Sequence, residues 1–202
     1  MNTLYTAMTS TREFNYPPGG EQLMSILDAI GPLEKQLCVT ALVKLGVSGD
    51  EIKASLTVKT LKKFSLVAER DGLLYLPARP PVSSQKAKIR LFLFLKYATG
   101  ETLLHRGRHP ADISFSSSAV SRLVYEIAFF DDEHITEAAE YVEMRKMSVV
   151  VKPIVVLQEK YNEITKEDIK TIFDEKKEII ICAITGGKFV FFEDGKAVKE
   201  DE

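Results

Sequence analysis

The sequence predicts an α+β protein in two parts: short helices with a hairpin, followed by strands and helices in alternation. The first observation is the segment TVKTLKKFSLVAERDGLLYL at 57–76, where a helical apolar period leads into two apolar runs. These runs flank Asp71-Gly72, and Asp-Gly between such runs is a strong hairpin signal. The second observation is that strand-like apolar runs alternate with helical segments after residue 82.

Apolar residues at helical spacing predict three helices in the first part. Gly31 and Gly46 follow the first two helices, and Asp50 is placed to cap the third. The apolar positions are Leu23, Ile26, Leu27 and Ile30, then Leu37, Cys38, Ala41, Leu42 and Leu45, then Val58, Leu61 and Phe64. Three helices and a hairpin within about sixty residues are typical of a winged helix-turn-helix domain, which we expect at 19–80.

The flanking segments carry other patterns. Residues 1–18 contain turn formers without an apolar period, which predicts a flexible arm. Three prolines at 77–84 predict a linker, because closely spaced prolines interrupt both helices and central strands. Residues 194–202 predict an acidic tail.

Residues 81–193 predict a small α/β domain with a mostly antiparallel mixed sheet. The segment 85–98 alternates like a strand but is apolar on most sides like a buried helix, and Ser84 and Gly100 favour the helix. Pro153 lies inside an apolar run, which predicts an edge strand or a strand that starts there. The remaining expected elements are strands at 111–115, 123–130 and 151–157, helices from 131 and at 166–173, and a hairpin of 179–184 with 188–192.

Composition is ordinary for a globular chain, with 45% hydrophobic and 28% charged residues. The N-terminus lacks the apolar segment of a signal peptide, and the block Leu91 to Leu95 is too short to span a bilayer. Cys38 and Cys182 lie far apart inside apolar runs, which favours reduced and buried thiols over a disulfide. These features predict a cytoplasmic protein with no membrane partner.

Charge is distributed unevenly along the chain. Residues 1–99 hold 13 Lys and Arg against 8 Asp and Glu, a net charge of +5, whereas residues 100–202 hold 14 against 21, a net charge of −7. A basic first half suits contacts with phosphate groups. The alternative is that the difference reflects ordinary solvated helix faces.

The third helix and the hairpin supply the candidate DNA contacts. A helical projection places Lys59, Lys62 and Lys63 opposite the apolar side, where they would contact phosphates of double-stranded DNA. Thr57 or Thr60 would face base edges, and Arg70 on the wing would reach the backbone. Because winged helices also contact proteins, a protein-interaction module or a homodimer is the alternative.

Five segments carry a resemblance to a known family. They are GPLEKQL, TLKKFSLVAERDGLLYL, PADISF, YEIAFF and ITGGKFVFFE, in this order within residues 20–193. This arrangement resembles the replication-relaxation family of bacterial plasmid and mobile-element proteins and its short relatives. The resemblance implies a winged helix followed by a degenerate nuclease-like domain, similar to a decayed restriction-type nuclease. It also implies a role in replication control, mobilisation or local transcription.

The resemblance also implies where a nuclease site would lie. Restriction-type nucleases place an Asp on one strand and Glu-x-Lys on the next, to hold a divalent metal and steady the attacking water. Asp112 and Glu126 match the carboxylates, but Ala128 stands where the lysine should be. We therefore expect a non-catalytic protein without a metal, in which Asp112 and Glu126 lie close together and repel each other. A metal-dependent nuclease, with Lys160 as a displaced lysine, is the third hypothesis.

Two further motifs were considered as cofactor sites, and neither fits one, so we expect no cofactor. His105 and His109 have i, i+4 spacing, but Arg106-Gly107-Arg108 between them and the following proline argue against a helical zinc site. This basic segment predicts a loop that contacts phosphate or is simply solvated. Gly186-Gly187 predicts a hairpin turn, because the spacing of a phosphate-binding loop is missing.

Overall fold

The computed structural model describes residues 15–78, 82, 84–145, 148, 150–173, 179–193 and 196–198. Most of the predicted arm, residues 79–81 and 83 of the predicted linker, and residues 194–195 and 199–202 of the predicted acidic tail therefore lie outside the described residues.

The first part contains three helices and a small antiparallel sheet. Its elements are α1 (Gly20–Ala29), β1 (Leu33–Glu34), α2 (Lys35–Lys44), α3 (Glu51–Lys63), β2 (Ala68–Arg70) and β3 (Leu73–Tyr75). The strands lie in the order β1-β3-β2. The expected hairpin turns at Asp71 and Gly72, whose φ angles of 52° and 78° suit the Asp-Gly pair. Strand β1 was not predicted, because a strand of two residues is too short to show an alternation of apolar and polar side chains.

The second part is built on a seven-stranded mixed sheet. Its elements are α4 (Gln85–Tyr97), β4 (Leu104–Arg106), β5 (Ala111–Ser116), β6 (Val124–Asp131), α5 (Ile135–Arg145), β7 (Val151–Gln158), α6 (Lys166–Ile172), β8 (Ile180–Thr185), β9 (Lys188–Glu193) and β10 (Lys196–Val198). The order β10-β9-β8-β7-β6-β5-β4 follows the chain. Only β6–β7 and β7–β8 are parallel among the pairings described, so the sheet is mixed and mostly antiparallel.

Strand β7 corrects the expectation about Pro153. The strand starts at Val151 and lies centrally, between β6 and β8, rather than at an edge. Pro153 lies opposite Glu126 of β6, whereas pairing with β8 begins only at Ile154. A proline is tolerated there because β7 has a paired neighbour on only one side at that position.

Local capping explains several helix boundaries. The Asp50 side chain accepts a hydrogen bond from the Lys53 amide at 2.8 Å, and Ser84 accepts one from the Ala87 amide at 3.1 Å. The second cap confirms that the ambiguous segment at 85–98 is helical. Thr165 starts α6 with a capping box. In the described part of the chain, no helix is long and apolar enough to cross a membrane.

The central strands of the large sheet are buried on both faces. In β7, Ile154 and Val156 belong to one hydrophobic cluster, and Val155 and Leu157 belong to another. The first, here the α4-side cluster, also contains the buried side chains of α1, α2, α3 and α4. The second, here the α5-side cluster, is covered by α5 and α6. The domain boundary near residue 80 stays a prediction, since buried side chains on both sides of it share the α4-side cluster.

Both cysteines are buried, and no disulfide joins them. Burial raises the pKa of the Cys38 thiol to about 12, which keeps it protonated and unreactive near neutral pH. The expectation of reduced, buried thiols rather than a disulfide is confirmed.

Gly107 controls the connection between β4 and β5. Its amide donates to the Asp112 carbonyl at 2.8 Å, and a Cβ added here would lie 2.4 Å from the Ala111 carbonyl oxygen. We expect Gly107→Ala to lower the free energy of unfolding by about 1–3 kcal/mol, because backbone must move. Gly49→Ala is the control, since its Cβ would meet nothing closer than Lys53 Nζ at 3.4 Å. Equal urea midpoints for the two variants would contradict this expectation.

Candidate functional site

The exposed side of α3 is the first candidate surface. Ala54, Val58 and Leu61 point into the α4-side cluster and seat the helix. The opposite side, here the α3 face, consists of Ile52, Leu56, Lys59 and Lys63, which are all exposed. The side chains of Ile52 and Leu56 are 75% and 54% exposed. The α3 face therefore presents two cations beside two apolar side chains.

Thr57 lies on the buried side of α3. It is 3% exposed, and its hydroxyl donates to the Pro18 carbonyl at 2.8 Å. The expectation that Thr57 faces a DNA base is therefore wrong, because residue 57 projects with Ala54 and Val58 toward the core. Thr60 is half-buried, and its contact with DNA stays a prediction.

Lys62 and Arg70, the other two basic residues expected to contact DNA, differ in their environment. Lys62 is hydrogen-bonded to Glu69 of β2, and this bond holds the pKa of Glu69 below its usual range. Arg70 lies exposed at the tip of the hairpin, with Nε 3.7 Å from an oxygen of Asp71. Lys62 is thus already paired with a carboxylate, whereas Arg70 is accessible to a phosphate.

Asp112 faces the α4 side of the large sheet. A bulge between Ala111 and Ile113 interrupts its strand pairing. Arg90 of α4 donates to Asp112 Oδ1 at 3.0 Å, and its guanidinium lies 5.5 Å from the centre of the Phe129 ring. Asp112 is therefore neutralised by a cation from α4.

Glu126 faces the α5 side. The Tyr141 hydroxyl donates to Glu126 Oε2 at 2.9 Å, and Arg145 Nε lies 2.7 Å from the same oxygen. Burial and the charge of Glu126 raise the pKa of Tyr141. A hydrogen bond of 3.2 Å from Arg145 to Oε1 completes the pairing.

Asp112 and Glu126 lie on the adjacent strands β5 and β6, as expected, but the expectation that their carboxylates form a repelling pair is wrong. In a regular strand, residue 112 would share a face with Ser114, which lies directly opposite Glu126. The bulge places the Asp112 side chain on the opposite face of the sheet, because its extra residue shifts the alternation of side chains between the two faces. Each carboxylate is instead neutralised by an arginine from a different helix.

Ala128 lies in the α5-side cluster and is fully buried. It lies directly opposite Ala111 of β5. A lysine at this position would enter the hydrophobic core. The pattern at 126–128 thus faces α5, away from the groove that Asp112 lines.

A groove of about 520 Å³ lies at the carboxyl ends of β6 and β7, where ligands commonly bind in α/β sheets. We call it the carboxyl-end groove, and Asp112, Asp131, His134 and Lys160 are among its lining residues. Lys160, proposed above as a displaced lysine, therefore lines the same groove as Asp112. The sequence did not single out Asp131 or His134, because no motif marks them.

Asp131, His134 and Lys160 of this groove cluster with Glu133. Ligand atoms of Asp131, Glu133 and His134 all lie within 4.8 Å of one another. Lys160 Nζ lies 3.1 Å from Glu133 and 3.7 Å from Asp131. The hydrogen bond between His134 and Asp131 raises the pKa of His134 and lowers that of Asp131. Lys160 thus pairs with the carboxylates of this cluster, and His134 adds a second positive charge only when it is protonated.

His105 and His109 line different grooves. His109 lines the carboxyl-end groove, and His105 lies in β4 beside α1. A basic loop was expected at 105–108. This expectation is wrong for His105 and Arg106, because both belong to β4. The Nη2 atom of Arg106 lies 3.3 Å from Asp28 Oδ1, so the guanidinium ties β4 to α1.

Comparisons of the chain with protein-family models, with curated proteins and with solved structures find no significant match. The resemblance to the replication-relaxation family therefore rests on the five quoted segments. Function has to be argued from the geometry of the chain itself.

The environment of Ala128 generates a stability prediction. We expect Ala128→Lys to lower the free energy of unfolding by more than about 3 kcal/mol, because an ammonium group would be buried without a partner. Ala119→Lys, at an exposed position, should leave the unfolding midpoint unchanged. A stably folded Ala128→Lys chain that nicks supercoiled DNA with magnesium or manganese would show that the lysine does reach a catalytic centre.

The Asp131–His134 contact predicts a shifted titration. His134 should titrate above its ordinary pKa of 6.5, and Asp131→Asn should move it back toward that value. The contact stabilises the fold while both groups are charged. This contribution is lost as the pH rises through the raised pKa of His134, or falls through the lowered pKa of Asp131. Imidazole NMR titration of both chains measures this, and titration at or below 6.5 in the wild type would refute it.

Proposed function

We propose that this chain is a non-catalytic protein that binds double-stranded DNA through a winged helix in its first part. Support for the winged helix is the element order α1-β1-α2-α3-β2-β3 with the strand order β1-β3-β2. The observation that carries the proposal is the exposed position of Lys59 and Lys63 on α3, together with Arg70 at the tip of the hairpin.

The proposed contacts follow from the packing of α3. Lys59 and Lys63 are four residues apart, so they lie on one side of the helix, about 6 Å apart at Cβ. Val58 and Leu61 hold the opposite side in the core. The two lysines would contact successive phosphates, and Arg70 would contact the backbone beside them. Affinity of this kind falls steeply with salt, because binding releases condensed counterions.

The second part supports a non-catalytic role. Asp112 and Glu126 are each paired with an arginine, and these arginines come from α4 and α5. Neither carboxylate is thus available to share a metal with the other in this arrangement. In keeping with the family resemblance, we propose control of replication, mobilisation or transcription of a mobile element as the process served by DNA binding.

A protein-interaction module is the second candidate, and the α3 face itself favours it. Ile52 and Leu56 lie one helical turn apart and are largely exposed. Large apolar side chains clustered on a surface mark contacts with proteins more often than contacts with phosphates. In this alternative, α3 would dock onto a protein partner or a second copy of the chain.

The lysines on α3 provide the decisive test. We expect Lys59→Glu combined with Lys63→Glu to weaken binding to every duplex and to reduce the salt dependence of log K by about two. The melting temperature should hardly change, because both side chains are exposed. Lys166→Glu with Lys170→Glu on α6 is the control, since it makes the same change in net charge at exposed positions on another helix. Fluorescence anisotropy with a labelled random duplex measures both.

The outcomes separate the two candidates. Equal losses in both double variants would show that net charge, and not α3, governs binding. No binding of the wild type at low salt would overturn the DNA proposal. In that case, loss of self-association on changing Ile52→Ser and Leu56→Ser, measured by sedimentation, would establish the interaction module.

A further inference from the structure

The α3 face is apolar in its N-terminal half and basic in its C-terminal half. Ile52, Leu56, Lys59 and Lys63 stand at positions i, i+4, i+7 and i+11 of the helix. At about 100° per residue, all four fall within about 60° around the helix axis. The two apolar side chains come first and are 75% and 54% exposed. The phosphate contacts proposed above use the two lysines and give Ile52 and Leu56 no role in DNA binding.

The N-terminal half of α3 is held in place by its cap and by its buried side. The Asp50 side chain accepts a hydrogen bond from the Lys53 amide at 2.8 Å, which fixes the first turn. Ala54 and Val58 are fully buried on the side of the helix opposite the α3 face. Ile52 and Leu56 therefore project into solvent from a helix whose other side is packed in the core.

The position of these two side chains matches the part of a recognition helix that meets the bases. In helix-turn-helix complexes, the N-terminal residues of the second helix of the motif contact base edges in the major groove. By element order, α3 is that helix in this chain. Ile52 and Leu56 lie in its N-terminal half, and neighbouring Glu51 projects about 100° away from Ile52. The base contacts of the proposed complex would therefore be apolar.

Thymine is the base that suits such a contact. Its C5 methyl is the apolar group that a base pair of unmodified DNA presents in the major groove. Helix α3 contains no Asn or Gln, which read adenine through two hydrogen bonds, and no Arg, which reads guanine in the same way. Apolar contact between a side chain and the methyl removes both surfaces from water, which stabilises the complex.

We propose that Ile52 and Leu56 select the DNA sequence by contacting the C5 methyl groups of thymine in the major groove. This inference rests on the DNA binding proposed above and names the class of duplex that is preferred. Lys59, Lys63 and Arg70 beside the apolar pair give the surface a charge that complements a duplex. The phosphate contacts position the helix, and the methyl contacts specify the sequence.

The test compares two duplexes that differ only in the methyl group. Both have one fixed sequence of A·T pairs in mixed order, made either with thymine or with deoxyuridine in its place. Every pair of such a duplex carries one methyl or lacks it, so the target sequence need not be known. The full chain should bind the thymine duplex about three- to tenfold more tightly at equal salt, since one buried methyl contributes about a fourfold factor. Fluorescence anisotropy measures both affinities.

A double variant removes the apolar pair. Ile52→Ala with Leu56→Ala should bind the two duplexes equally, at about the affinity of the wild type for the deoxyuridine duplex. Its salt dependence should not change, because both lysines of the α3 face remain. Its melting temperature should hardly change, because both side chains are exposed and alanine favours a helix.

The matched control removes similar side chains elsewhere. Leu103 and Val120 are 65% and 93% exposed and lie outside the first part of the chain. Leu103→Ala with Val120→Ala should keep the full preference for thymine.

The outcomes separate this inference from the proposed function. Equal affinity of the wild type for the two duplexes would overturn the inference and leave DNA binding by α3 in place. A thymine preference that survives in Ile52→Ala with Leu56→Ala would also overturn it, since another surface would then contact the methyl groups. No binding of either duplex at low salt would overturn the proposed function and this inference together. Self-association that the same double variant abolishes would then assign the α3 face to a protein partner.

Discussion

Burial of β6, β7 and β8 on both faces is the constraint on which the rest of the structure depends. Val155 and Val156 are neighbours in β7, face opposite sides and are both fully inaccessible to solvent. Such a strand is stable only when apolar layers cover both faces of the sheet. Helices α5 and α6 cover one face. Helix α4 covers the other, and buried side chains of α1, α2 and α3 belong to the same hydrophobic cluster, so the first part shares a core with the sheet.

The same constraint decides what the carboxylates do. A strand with two buried faces sends each polar side chain to one helix layer or the other. Arg90 then ties α4 to Asp112, and Arg145 ties α5 to Glu126. Removing one partner of such an ion pair would leave a partly buried charge unpaired. The resulting loss of folding stability is larger than the stability that the ion pair itself contributes. The acidic residues that suggest a nuclease in the sequence thus act as anchors between layers.

The loop at 15–19 lies between α3 and a groove of about 1070 Å³ beside α1 and β4. On one side it lines that groove. On the other, the Pro18 carbonyl accepts the hydrogen bond from Thr57 of α3. Gly19 has a φ of 75°, and a Cβ there would lie 3.3 Å from the Ser48 hydroxyl, so a side chain would be strained and crowded.

The sequence by itself determined the local features: the helical period of α3, the turn at Asp71-Gly72, the cap at Ser84 and the exposure of Lys59 and Lys63. These depend on residues a few positions apart. Only the tertiary structure decided that Thr57 bonds to Pro18, that Asp112 turns toward α4, that Pro153 is central and that Lys160 meets Asp131. Short strands such as β1 and β10 also carry too few residues to show a period. The physical reason is that side-chain direction at a bulge, and contacts between distant segments, are fixed by the packing of layers and leave no mark on neighbouring residues.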